Sequence, residues 1–167
     1  KGSTGNKTLY AKWTENRYDI VFNSNHAKAT GEMAALNEIG YDDPVTLTEN
    51  GFVRIGYTFK CWNTKADGTG KTYTDGAEVS KLAAKDGKVV NLYAIWTKDK
   101  YTITYELDGG TNNTLNPVTY TVTSANITLA APTKKGYTFG GWYVFRQLDV
   151  PFSIDTFPYF NTILYAK

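Results

Sequence analysis

The feature that most constrains this chain is that it is written twice. Residues 9–13 read LYAKW, 92–96 read LYAIW and 164–167 read LYAK. Other markers return in the same order: YDIVF at 18–22 with YTITY at 101–105, VTL at 45–47 with ITL at 127–129, GYTFKCW at 56–62 with GYTFGGW at 136–142. The spacing between markers drifts by a few residues, as loop insertions would produce, and fixed order with drifting spacing is the mark of a repeated structural unit. One unit is expected over 18–97 and a second over 98–167. Residues 1–17 are expected to hold the closing strand and linker of an upstream unit.

Each marker alternates with period two, the pattern of a strand with one dry face. Tyr18, Ile20 and Phe22 share a face, as do Tyr101, Ile103 and Tyr105, against Thr102, Thr104 and Glu106. In the closing strands Leu92, Ala94 and Trp96 share a side, as do Leu9, Ala11 and Trp13. Within GYTFKCW, Tyr57, Phe59 and Cys61 are in phase and Trp62 points the other way. The supply of 13 Tyr, 8 Phe and 4 Trp suits half-buried pleated surfaces. Turn chemistry separates the strands at LDGGTNN (107–113), ADGTG (66–70) and APTKKG (131–136). Helix is scarce. DGAEVSKLAAKDG (75–87) offers an Asp75–Glu78 capping pair and a terminal Gly87, and a short turn near Met33–Ile39 is a second candidate.

Composition removes several function classes. Net charge is +2, too small for a broad field that would attract nucleic acid. No apolar run approaches a membrane span. Cys61 is the only cysteine, so no disulfide closes within the chain. The chain opens abruptly at KGSTGNKT and reads as a segment of something longer, so the lack of a leader carries no weight.

The run from YTITYELDGGTNN through PTKKGYTFGGWY to LYAK resembles the Listeria–Bacteroides repeat, the internalin B-type repeat found in tandem in bacterial cell-surface proteins. The resemblance covers nearly the whole chain. It implies a mainly β (α+β) fold of tandem small ubiquitin-like β-grasp modules, each a mixed or antiparallel sheet with at most one short helix. It also implies an exported protein whose repeats act as stalk segments and interaction modules rather than enzymes. The first unit departs from the pattern around GFVRIGYTF and AEVSKLAAKDGKVV. The second departs in VFRQLDVPFSIDTFPYFNTI (144–163), which is unusually aromatic.

DGTGKT (67–72) ends like a phosphate-binding loop, but the required first glycine is Lys65, and a hairpin turn explains it better. Asp67 and Asp75 lack calcium-loop spacing. His26, the only histidine, sits in a turn-rich stretch without a nucleophile partner. Cys61 is in phase with Tyr57 and Phe59 and is replaced by Gly141 in the second unit, which favours an inert thiol. Lys88 and Asn91 raise the idea of a Lys–Asn cross-link, with nothing fixing its geometry. The sequons at Asn6, Asn112 and Asn126 mean little in a bacterial source. No catalytic, cofactor or metal residue is therefore assigned.

The aromatics carry the remaining interest. Trp62, Trp142, Tyr143, Phe152, Tyr159 and Phe160 are the candidate interaction residues, with Val144, Phe145 and Phe157 in the same aromatic stretch. Exposed, they would stack on sugars or pack on a protein partner; buried, they would be the core that so small a unit needs. Gly56 and Gly136 are expected to admit a strand, Phe59 and Phe139 to fill the core, and Leu92 and Leu164 to close the sheet. The expected function is a non-catalytic, extracellular stalk or spacer on a bacterial surface with a weak protein-interaction or adhesion surface. Its partners would be neighbouring repeats in the same chain and a host or cell-wall glycan or surface protein, with no nucleic acid and no membrane insertion. The alternative is a carbohydrate-binding module for cell-wall or host glycans with Trp62, Trp142 or Tyr143 as its platform.

Overall fold

A computed structural model describes residues 5–124, 127–148, 150–152 and 159–167. The chain divides into two compact units, Lys1–Phe52 with Cys61–Ile95 and Val53–Lys60 with Trp96–Lys167. The architecture is mainly β, as the alternation predicts, and no helix forms among the described residues.

The first sheet holds β1 (Arg17–Asn23), β2 (Leu36–Gly40), β4 (Tyr57–Asn63), β5 (Thr72–Tyr73) and β7 (Lys88–Lys98), in the order β2-β1-β7-β4-β5. Opening strand β1 and closing strand β7 lie side by side and parallel, from Tyr18 opposite Lys88 to Asn23 opposite Tyr93. Period-two alternation does its work here: Tyr18, Ile20 and Phe22 are buried on one face of β1, and Leu92 and Ala94 are fully buried on β7. A separate short pair joins β3 (Val45–Thr46) to β6 (Glu78–Val79).

The second sheet repeats the scheme with β8 (Tyr101–Glu106), β9 (Thr119–Tyr120), β10 (Trp142–Tyr143) and β11 (Thr162–Ala166), in the order β10-β11-β8-β9. Its opening and closing strands are again parallel neighbours, Thr162 opposite Ile103 through Tyr165 opposite Glu106. Ile103, Tyr120, Trp142 and Leu164 form the core, with Tyr101, Tyr105, Phe139 and Phe152 packed against it. Leu92 and Leu164 thus close their sheets as expected, while Phe59 and Phe139 are only half-buried.

Two local expectations, both of helix, are corrected. The stretch 75–87 is not helical, because Val79 pairs with Val45 in a two-stranded ribbon and Gly76, Lys81 and Gly87 all take positive φ. Asp75 caps no helix; its carboxylate accepts the Asn50 N–H at 2.8 Å. The second helical candidate becomes edge strand β2, bulged against β1 at Glu38, whose N–H donates to Asp19. Residues 9–13, expected as the closing strand of an upstream unit, belong to none of the described sheets of these two units, and Leu9, Tyr10 and Trp13 are about nine-tenths exposed.

Candidate functional site

The loop that resembles a phosphate cradle is filled by its own side chains. Asn63, fully buried at the end of β4, accepts the N–H groups of Lys65 and Gly70 and donates to the carbonyls of Gly68 and Gly70 and to the Thr72 hydroxyl. Asp67 accepts Thr69 N–H at 2.9 Å, Thr64 Oγ1 accepts Lys71 N–H at 2.9 Å, and Lys65 C=O takes the Gly68 N–H. The donors that would bind phosphate are spent within the loop, so the hairpin reading stands. Asn116 plays the same part in the second unit. Its Oδ1 accepts Ala130 N–H at 2.7 Å, and its Nδ2 donates to Ala130 C=O and to the Asn112 side chain. The need for a buried loop anchor is met by asparagine in both units, at different points of the fold.

Other polar candidates resolve in the same way. His26 uses Nδ1 to accept the Lys28 N–H at 3.1 Å, a turn contact. Cys61 is buried. Lys88 and Asn91 are three residues apart on β7, so their side chains leave opposite faces of the sheet, and the Asn91 oxygen accepts from Asn23 instead. Among the described residues no group of three or more His, Cys, Asp or Glu is placed to hold a metal ion.

The tryptophan platform is corrected outright. Trp62 is completely buried, with the Phe22 ring 4.8 Å and the Phe52 ring 6.2 Å away. Trp142 is also core, 5.1 Å from the Tyr105 ring and 5.3 Å from Phe139. Pointing off the Tyr57–Phe59 face does not expose Trp62, because the strand end is covered on both sides: Cys61, Trp62 and Asn63 are buried in succession. Tyr143 is half-buried on β10, with the Lys167 ammonium 5.2 Å from its ring centre. Phe152 packs on the second core. Tyr159 and Phe160 are more than half exposed, as are Phe145 and Tyr137. Phe157 and Asn126 lie outside the described residues.

Two features were missed at the level of sequence. The first is a repeated turn in which a cation covers a tyrosine ring, Arg54 over Tyr57 and Lys134 over Tyr137. The signal was present as a basic residue three positions before the tyrosine in both GYTF copies. The second is a cleft of about 220 Å³ in the second unit, walled by Leu107, Pro132, Tyr137, Phe139 and Leu148 and ending at Lys167. Lys134 and Asp108 pair across its mouth at 2.8 Å, and the Lys134 ammonium holds the Asp108 carboxyl below its usual range. Only folding brings residues so far apart in sequence together, so no local pattern announces the cleft.

Comparison with known proteins finds the same tandem repeat in the sequence. The Listeria–Bacteroides repeat domain matches twice, at residues 18–95 and 101–167. The chain is 33% identical over 163 residues to a protein of Evansella cellulosilytica named as a Gly-rich membrane protein, covering 96% of this chain and 18% of that one. It is 35% identical over 152 residues to Internalin H of Listeria monocytogenes, covering 90% of this chain and 25% of the relative. The chain therefore spans about a quarter or less of the length of these relatives. No solved structure matches it. No helix among the described residues is long and apolar enough to cross a membrane. Two matches in tandem, together covering most of the chain, place it in a family: it belongs to the Listeria–Bacteroides repeats.

Proposed function

We propose that this segment is a load-bearing spacer of a bacterial surface protein, two non-catalytic repeats following the end of an upstream one, displayed outside the cell. One observation carries the reading: in each sheet the opening and closing strands are parallel neighbours. Tension enters a repeat at the start of its opening strand and leaves at the end of its closing strand. For a parallel pair those points lie at opposite ends of one ladder. All its hydrogen bonds are then loaded together in shear, whereas a hairpin pulled at its open end unzips one bond at a time. Such a unit resists extension without a disulfide, in keeping with a chain whose lone cysteine is buried.

Single-molecule force spectroscopy tests this. End-to-end pulling should unfold each repeat at clearly higher force than pulling through engineered cysteines that peel β2 from β1. Equal forces along the two axes would remove the mechanical role.

The same chain offers a weak interaction surface in the exposed rings of Tyr137, Phe145, Tyr159 and Phe160 on the second unit. Its partner is a protein surface, because the flat tryptophan platforms expected for a glycan are core. Binding across a glycan array that disappears in a Tyr159→Ala, Phe160→Ala double variant would instead favour the carbohydrate reading.

A further inference from the structure

Asn50–Gly51 is the one Asn–Gly step in the sequence. It lies in irregular backbone between β3 and β4, within the first unit, with Asn50 half-buried and Gly51 exposed. The Asn50 side chain is held against the backbone two residues on: its Oδ1 accepts the Phe52 N–H at 3.1 Å, and its Nδ2 donates to the Phe52 C=O at 2.9 Å. The Oδ1 bond closes a small ring that contains both the Asn50 Cγ and the Gly51 nitrogen. The Gly51 N–H meets the Met33 sulfur at 3.4 Å, a weak acceptor, so this amide is not committed to a strong bond. Glycine also leaves the nitrogen open to approach, because no Cβ stands beside it. The asparagines that anchor the loops differ: Asn63 is followed by Thr64, and Asn116 by Pro117, which has no N–H to lose.

We propose that Asn50 is a site of spontaneous modification, at which water converts it through a cyclic imide to aspartate and isoaspartate. The Gly51 nitrogen attacks the Asn50 Cγ and gives its proton to solvent. The negative charge that develops on Oδ1 falls where the Phe52 N–H already points, which stabilises it. Nδ2 takes up a proton and leaves as ammonia, closing the imide ring. Water then adds to either imide carbonyl and breaks its bond to the Gly51 nitrogen, which regains a proton. The balance is asparagine plus water giving aspartate or isoaspartate plus ammonia, with nothing oxidised or reduced. Loss of Nδ2 removes the donor to Phe52 C=O. It also sets a carboxylate against that carbonyl and beside Asp75, whose Oδ1 accepts the Asn50 N–H at 2.8 Å. The isoaspartate product adds a methylene to the main chain two residues before Phe52, a buried ring set edge-on to Trp62 with centres 6.2 Å apart. The modification therefore loosens the rim of the first core and lowers the formal net charge of +2 by one.

Peptide mapping by mass spectrometry of the folded chain, held for weeks at mildly alkaline pH, tests the site. Gly51→Ala accompanies it. A Cβ there makes ordinary contacts at 3.4 Å with the Glu32 carbonyl oxygen and Met33, so the variant folds, as circular dichroism checks. A gain of about 1 Da marks a converted asparagine and is not produced by rearrangement at the Asp–Gly steps, such as Asp67–Gly68. The gain is expected first in the peptide holding residues 50 and 51, and Gly51→Ala should slow it by at least about 10-fold. The converted fraction, separated by its charge, should unfold at lower urea than the unconverted one. Conversion that begins at another asparagine, or a rate indifferent to Gly51→Ala, overturns the proposal. So does a folded chain that stays unconverted while the urea-denatured chain converts, and a converted fraction with an unchanged urea midpoint refutes the loosening of the core.

Discussion

The Arg54 guanidinium carbon sits 3.5 Å from the centre of the Tyr57 ring, and the Lys134 ammonium sits 4.4 Å from the ring of Tyr137 at the matching position of the other GYTF copy. Both pairs close a four-residue turn. Tyr57 N–H donates to Arg54 C=O at 3.0 Å and Tyr137 N–H to Lys134 C=O at 3.1 Å. The third residue is glycine in both, with φ of 75° at Gly56 and 83° at Gly136. A turn with positive φ at that position favours glycine, and it leaves the first and fourth side chains near enough to stack.

That geometry sets the first prediction. Gly136→Ala forces a side chain into left-handed backbone, although a Cβ there would meet nothing within 4 Å. The expected loss is about 1–2 kcal/mol, all of it conformational. Gly136→Asn should lose less, because asparagine tolerates that region. Urea midpoints of the two variants check the order.

Asn63 is the second target. Its side chain satisfies two backbone N–H groups, two carbonyls and a hydroxyl in loop 64–72 while being wholly buried. Asn63→Ala should cost about 2–3 kcal/mol by leaving those groups unpaired. Amide exchange in 64–71 should rise well above that in β1. An unchanged loop would show that the turn holds itself.

Trp62→Ala and Trp142→Ala should each destabilise by about 3–5 kcal/mol, the cost of emptying an aromatic core site. Tyr159→Ala and Phe160→Ala should stay within about 1 kcal/mol, as exposed rings do. Denaturant titration of the four variants separates core aromatics from surface ones. A mild Trp142→Ala would mean that the second core is assembled differently.

Alkaline pH should weaken the second unit. Burial pushes the Tyr105 phenol up to about 12, and its hydroxyl donates to Pro117 C=O at 2.7 Å. Desolvation also raises Tyr18 and Tyr101. A folded-state pKa above the unfolded value near 10 means the native state holds its proton longer. That stabilisation is therefore complete below about pH 10 and is lost as pH rises towards 12. Tyr105→Phe should flatten the fall in stability between those values, measured by urea titration at successive pH. An unaltered slope would place the sensitivity in other groups.

What the sequence determined by itself was whatever is local and repeated. Alternation at Tyr18–Phe22 and Tyr101–Tyr105 named the strands and their dry faces, because side-chain direction in a strand has period two whatever surrounds it. Recurrence of GYTF and LYA named the duplication, and the family resemblance read from those residues held. Only the tertiary structure decided the fate of side chains off that phase. Trp62 is core because Phe22 and Phe52 cover it, and neither is near it in sequence. The 75–87 stretch gave up its helix because Val79 found Val45. LYA shows the division most plainly: Leu92 and Leu164 are wholly buried because β1 and β8 lie beside them as parallel partners, a fact of the ladder and not of the letters.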